Sequence, residues 1–398
     1  MIIRRVLLIV FCFSNLFTKG QNDIQISSDF PGGNIVFNKI SVDTVWLKPD
    51  LSFTKGDWFY WYFKISGISG KNIIFKFDQN NVFAKYGPAY SINNDFTWKW
   101  YGENRIANNS FSFSFSEQDT IAFFSVAFPY TEKNLNDFLG NLKNKKLLKS
   151  DTLCFSPENR VIEKIIIPSL NAEPKHKVLI TARHHACEMM ANYVLEGIIE
   201  SILNDVNLTS LRNQVEFMII PFIDKDGVEN GEQGKNRIPR DHNRDYDGKS
   251  IHNSTAAIRK LIPDWSENKL KIALDIHCPT LNGRYNENIY NVGQSTYEIG
   301  KNQIIFSKFL EKNSIGELKL FHENYLPFGE NWNTDKNYSQ GMSFSRWASS
   351  LEGISIATTI EFPYSNVSGI MVTKDNSRVF GKTIAYSIND YFVEILKQ

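Results

Sequence analysis

The spacing of hydrophobic and polar positions changes once along the chain. From residue 21 to about 150 the apolar residues recur every second position in short runs. Ser110-Phe111-Ser112-Phe113-Ser114-Phe115-Ser116 alternates without a break, which predicts a half-buried strand. Trp58–Ile65 and Thr120–Phe128 are aromatic and β-branched runs bounded by turn residues, and Gly67–Asn72 and Gln79-Asn80-Asn81 punctuate the segments between them. No helical spacing is evident before Leu135. A small antiparallel β-sandwich is expected over 21–150.

After Lys149 the pattern becomes strand–helix alternation. Ile165–Ile167, Val178–Thr181, Val215–Phe222, Lys271–His277 and Ile354–Glu361 read as buried strands, because their apolar runs are nearly continuous. Val194, Leu195, Ile198, Ile199 and Ile202 mark one helix, and Ile384, Ile388, Tyr391 and Ile395 mark a C-terminal one. An α/β domain with a mixed, mostly parallel sheet flanked by helices is expected over 151–398. The Lys-rich, then polar, segment 144–157 reads as the linker.

The N-terminus carries Arg4-Arg5, a mostly apolar run from Val6 to Phe17, and Gly20. A short basic region, a brief apolar stretch and a small residue predict a secretory signal peptide over 1–20 and a secreted or periplasmic protein. No later run reaches the ~18 apolar residues of a membrane span, so none is expected in the mature protein. The 44 basic and 43 acidic residues nearly cancel, which removes bulk attraction to nucleic acid. Export permits disulfides. Cys187 and Cys278 each adjoin a residue singled out below and are expected to form one.

The reactive residues cluster at strand ends, where open α/β sheets place their sites. After the strand Val178–Thr181 come His185 and Glu188, whose spacing at a helix start puts both on one face. The strand Lys271–His277 ends in His277, stopped by Pro279. Two imidazoles and one carboxylate leave a fourth zinc position open, the catalytic rather than the structural pattern. Glu361 closes an otherwise uncharged strand, where a carboxylate is costly unless it has a partner or a task such as proton transfer. A loop after Phe222 carries Arg237, Arg240, Asn243 and Arg244, whose forked guanidiniums suit a carboxylate.

These pieces, in this order, resemble the zinc carboxypeptidase family, in particular the branch of cytosolic carboxypeptidases with a β-sandwich ahead of the catalytic domain. The resemblance implies one zinc held by His185, Glu188 and His277. It implies Glu361 as general base, Arg237 (with Arg240 as its rival) on the scissile carbonyl, and Asn243 with Arg244 on the substrate's terminal carboxylate. Tyr338 falls roughly where the family carries a mobile tyrosine, though its neighbours match poorly. Arg346 falls in the stretch that lines the side-chain pocket, so a preference for acidic C-terminal residues is an expectation. The implied activity is removal of C-terminal residues from peptides with a free carboxylate. An amidase or deacylase of cell-wall peptides or N-acyl amino acids, and a non-catalytic peptide- or glycan-binding protein, stay open as alternatives.

Overall fold

The structure is a computed structural model that describes residues 24–94, 97–103 and 105–394. The expected signal peptide at 1–20 and Ile395 lie outside the described residues. The chain begins with β1 (Gln25–Ser27), β2 (Val36–Ser41), β3 (Thr44–Lys48), β4 (Tyr62–Ser66), β5 (Asn72–Phe77), β6 (Ala89–Ile92), β7 (Lys99–Trp100), β8 (Ser110–Ser114) and β9 (Ile121–Ser125). These strands form two sheets, of order β1-β4-β9-β6-β7 and β2-β3-β5-β8. The alternation at 110–116 works as expected: Phe111 and Phe115 are buried and Ser112 is exposed. Aromatic rings fill the space between the sheets. Phe75 stacks on Phe111 at 4.7 Å between centroids, and both meet Phe124 at 5.0 and 5.3 Å. Such contacts add to the burial of large rings.

The chain continues through α1 (Glu132–Asn141), β10 (Lys149–Phe155), β11 (Val161–Ile167), β12 (His176–Ala182), α2 (Met190–Asn204), α3 (Thr209–Gln214), β13 (Val215–Ile220) and α4 (Lys225–Asn230). It ends with α5 (Asn253–Ser266), β14 (Leu270–His277), β15 (Tyr290–Val292), α6 (Tyr297–Lys312), α7 (Phe344–Ala348), β16 (Ile356–Glu361) and α8 (Lys374–Glu394). The large sheet has the order β10-β11-β13-β12-β14-β16-β15. Its centre, β13-β12-β14-β16, is parallel, and antiparallel strands flank that centre on both sides. The expected fold class, a mixed sheet between helices preceded by an all-β part, therefore holds, except that β3 and β5 of the first part pair parallel where an antiparallel sandwich is expected. The segment expected to be a linker does not: β10 occupies 149–155 as an edge strand paired with β11. Its side chains are exposed or half-buried, so it lacks the apolar run that marks the interior strands.

Both faces of the large sheet are covered. Val178, Ile180, Leu274 and Ile276 pack into the core shared with α2, α6 and α8, while Leu179 and Ala273 face the opposite core with α5 and α7. Val194, Leu195, Ile198, Ile199 and Ile202 of α2 and Ile384, Ile388 and Tyr391 of α8 are buried, as their spacing in the sequence predicts. These two helices cross at glycines. A Cβ on Gly197 would lie 1.9 Å from the carbonyl oxygen of Arg378, and one on Gly381 would lie 2.2 Å from that of Val194. Substitution of Gly197 by Ala must therefore push the helices apart. Overpacking of this kind costs about 1–3 kcal/mol. Gly197→Ala is expected to lower the denaturation midpoint accordingly, whereas an unchanged midpoint would show that the helices do not approach so closely.

Candidate active site

The parallel strands β12, β14 and β16 bring their carboxyl ends to one crevice. β12 runs into a turn at 183–189 rather than directly into a helix, since α2 begins only at Met190. His185 and Glu188 thus sit on a turn, closed by Glu188 N–H donating to His185 O at 3.2 Å, and not on the first turn of a helix as expected. Arg183 holds this turn. Its backbone has φ +61°, and its buried guanidinium donates to Ala186 O, Tyr130 O and Asn192 Oδ1. The loop at 233–238 is pressed against the turn: Cys187 N–H donates to Gln233 O, and a Cβ on Gly234 would fall 2.2 Å from Ala186 N.

This geometry makes three side chains converge. His185 Nδ1 lies 2.9 Å from Glu188 Oε1, and His277 Nδ1 lies 2.8 Å from Glu188 Oε2. Ligand atoms of the three residues fall within 4.8 Å of one another. Glu188 Oε2 is buried without a properly aligned hydrogen bond, despite the nearby nitrogen. Two ligand atoms aimed at a shared cation sit in this way. The outer nitrogen of each imidazole is held by a carboxylate, His185 Nε2 by Asp241 at 3.1 Å and His277 Nε2 by Asp275 at 2.6 Å. That leaves both Nδ1 atoms facing inward, the carboxylate–histidine arrangement that orients zinc ligands. The donor set fits zinc. His184, Asp275 and His277 form a second cluster, but both His184 nitrogens are taken, by Asp275 at 2.9 Å and Tyr246 Oη at 2.8 Å.

Glu361 pairs in register with His277 on the neighbouring strand, and Phe362 N–H donates to His277 O at 2.8 Å. Its Oε2 is buried and has no hydrogen-bond partner among the described residues. Burial pushes the Glu361 carboxyl above its usual range, against the pull of His277 and Lys235. Burial acts on Glu188 in the same sense, but Lys235, His185 and His277 outweigh it and hold that carboxyl well below its usual range. An ionised ligand thus stands beside a carboxylate that takes a proton more readily.

The loop residues divide. Arg237 does not reach the crevice, contrary to expectation. Its guanidinium is bound by Asp224 and Glu232, two carboxylates at the ends of α4. Arg240 places its Nη1 on Asp245 Oδ1 at 2.7 Å and Lys249 O at 3.0 Å. Asn243 is buried: its Oδ1 accepts from Phe344 N–H at 2.9 Å, and its Nδ2 lies 3.3 Å from His277 Nε2. Arg244 donates to Asn337 O and Asn243 O, which leaves its Nη2 without a partner among the described residues. Its guanidinium lies over the Tyr338 ring at 5.1 Å, and Arg346 lies over the same ring at 4.6 Å. The Tyr338 hydroxyl donates to Asn333 Oδ1 at 3.0 Å.

Sequence reasoning missed three participants. Asp275 stands two residues before His277 on one strand, hence on the same face, a signal that was available. Asp241 lies two residues before Asn243, in a loop whose arginines and asparagine carry the sequence signal. Lys235 carried no local signal, yet its ammonium contacts Glu188 and Cys278 O.

The comparisons agree with this geometry. Residues 135–382 match the peptidase M14 family of zinc carboxypeptidases, and the chain belongs to that family. By family it is a zinc metallopeptidase of the carboxypeptidase type, and zinc is the family's metal. Cytosolic carboxypeptidase 3 of Bos taurus is 25% identical over 200 residues, which are 45% of this chain and 19% of that protein. The Mus musculus protein of the same name is 28% identical over 121 residues, 28% of this chain and 12% of that one. The chain thus spans less than a fifth of the length of these curated relatives. A metallo-carboxypeptidase from Burkholderia cenocepacia shares the fold with a TM-score of 0.76 at 18% identity, over 93% of this chain and 99% of its own. The likeness includes the N-terminal sheets.

Cys187 and Cys278 are free thiols, not the expected disulfide. Each has its own neighbour: Cys187 Sγ lies 3.7 Å from Tyr364 Oη and Cys278 Sγ lies 3.6 Å from Glu188 O. Burial pushes the Cys187 thiol up to about 12, so it stays protonated and unreactive. Titration of the leaderless protein, denatured without reductant, is expected to find the three thiols Cys154, Cys187 and Cys278. A single reactive thiol would contradict the arrangement.

Proposed function

We propose that the chain is an exported metallocarboxypeptidase that hydrolyses the C-terminal peptide bond of peptides. The observation that carries this is the convergence of His185 Nδ1, His277 Nδ1 and the Glu188 carboxylate, each imidazole held from behind by a carboxylate, beside a buried Glu361 oxygen with no hydrogen-bond partner among the described residues. His185, Glu188 and His277 would hold zinc, which when bound supplies a Lewis acid and an acidified water. Asp241 and Asp275 fix the two imidazoles in the tautomer that leaves Nδ1 free. Glu361 accepts the proton of the attacking water and returns it to the leaving amine. Arg244 offers its open Nη2 edge to the substrate's terminal carboxylate, braced from behind by the Tyr338 ring. Asn243 fixes the start of α7 by accepting from Phe344 N–H. Tyr338 serves as packing for Arg244 and Arg346. The basic and apolar leader supports export.

One experiment tests the reading. Zinc-loaded protein, recovered from the exported fraction and expected to start near residue 21, is incubated with a mixed peptide library, and the released products are identified by mass. Single C-terminal residues are expected. Glu361→Gln should keep zinc and fold but lose about 10²–10⁴-fold in turnover. Arg244→Ala should chiefly raise KM for free-acid peptides. Release of acyl groups or internal fragments without free C-terminal residues would contradict the assignment.

A further inference from the structure

Four cationic side chains lie along the loop from 235 to 244, and three have been accounted for. Arg237 is closed between Asp224 and Glu232, Arg240 is bound to Asp245, and Arg244 lies along Tyr338. The fourth, Lys235, points into the crevice. Its ammonium meets Glu188 Oε1 and donates to Cys278 O at 3.0 Å. An ammonium has three N–H donors. Two are used here, and the third has no partner among the described residues. The Trp58 ring roofs the ammonium at 5.5 Å and keeps it from bulk water.

The main chain that carries Lys235 is clamped by residues 53–55, in the connection between β3 and β4. Thr54 Oγ1 donates to Lys235 O, Lys55 N–H donates to Asn236 O at 3.2 Å, and Ile238 N–H donates to Phe53 O at 2.8 Å. Gln233 is held through Tyr60, whose N–H donates to Gln233 Oε1 at 2.8 Å. A lysine on a free loop would sample many positions. This one is fixed in backbone, buried along its stem and capped by a ring from the preceding sheets.

We propose that Lys235, and not an arginine, is the cation that stabilises the charge developing on the scissile carbonyl oxygen, and that the segment 53–58 sets its position. The inference rests on the metallocarboxypeptidase reading. As the water oxygen bonds to the carbonyl carbon, its proton passes to Glu361 and the carbonyl π pair moves onto oxygen. Lys235 donates its third N–H to that oxygen and keeps its proton. When the pair re-forms the carbonyl, the C–N bond breaks and the leaving nitrogen takes the proton from Glu361. Lys235 is thus a catalytic residue, and Trp58 and Thr54 are positioning residues.

The test compares wild type, Lys235→Gln and Arg237→Gln, all as zinc-loaded full chains, on a peptide that the wild type cleaves. Lys235→Gln is expected to keep its zinc and a KM within a few-fold of wild type while kcat falls about 10²–10³-fold, the usual loss when one such donor is removed. Arg237→Gln is expected to lower thermal stability but to leave kcat within a few-fold. Calorimetry supplies a second readout: a phosphinic peptide, tetrahedral and anionic, should bind Lys235→Gln about 100-fold more weakly, with product peptide affected only a few-fold. Unchanged kcat, loss of zinc, or equal weakening of both ligands would overturn the proposal, the last two making Lys235 a structural counter-ion. Should Lys235→Gln not fold, a crystal structure of wild type with the phosphinic peptide decides. Lys235 Nζ is expected about 2.7–3.2 Å from a phosphinyl oxygen, and an arginine there instead would overturn the role. A wild type that releases no C-terminal residue fails the peptidase reading itself, which separates that failure from one confined to Lys235.

Discussion

Everything at the site depends on one buried carboxylate. Glu188 is fully shielded from solvent and is met by two imidazoles and an ammonium. A carboxylate taken out of water is strongly unfavourable unless opposite charge and hydrogen bonds replace its hydration. The arrangement around Glu188 supplies these from three separate parts of the chain: the turn after β12, the end of β14 and the loop at 233–238. Asp241 and Asp275 extend the alternation of charge outward by one shell. The result is a compact, alternating lattice of buried charge in which each member fixes its neighbour's orientation. That rigidity is what a metal centre requires, because ligand atoms must be placed before the ion arrives.

The N-terminal sheets are part of this construction. Asn34 Nδ2 donates to Gly231 O at 2.7 Å, Trp100 Nε1 donates to Val372 O at 2.6 Å, and Tyr130 Oη donates to Glu196 Oε1 at 2.9 Å. Their hydrophobic core is continuous with that of α2 and α8. Loops that carry function need a scaffold. Here the loop at 233–238 has one on each side: the turn at 183–189 presses on it from one direction and the segment 53–60 from the other.

Much of the site was legible because buried parallel strands are apolar. Against that background His277 and Glu361, at the ends of β14 and β16, stand out, and His185 with Glu188 follows β12 at once. Polar residues in loops stand out far less. Arg237, Arg240 and Arg244 look alike in sequence, and only the fold reveals that α4 carries Asp224 and Glu232 to Arg237. Lys235 was hidden for the same reason, since its partners lie 47 and 43 residues away. The turn at 183–189 was read as a helix start because three-residue spacing is shared by helices and tight turns. The edge strand β10 was read as a linker because an exposed strand has no apolar signature. The disulfide is expected from proximity and an oxidising destination, but the two sulfurs have different neighbours, Tyr364 Oη and Glu188 O.

The claim that these side chains form a zinc centre is tested most directly by an anomalous-diffraction map of zinc-loaded crystals. The account predicts a peak bonded to His185 Nδ1 and His277 Nδ1 at about 2.0–2.1 Å and to the Glu188 carboxylate at about 2.0–2.2 Å, with Asp241 and Asp275 still on the outer imidazole nitrogens. A peak between His184, Asp275 and His277, or zinc bound through either Nε2, would contradict it.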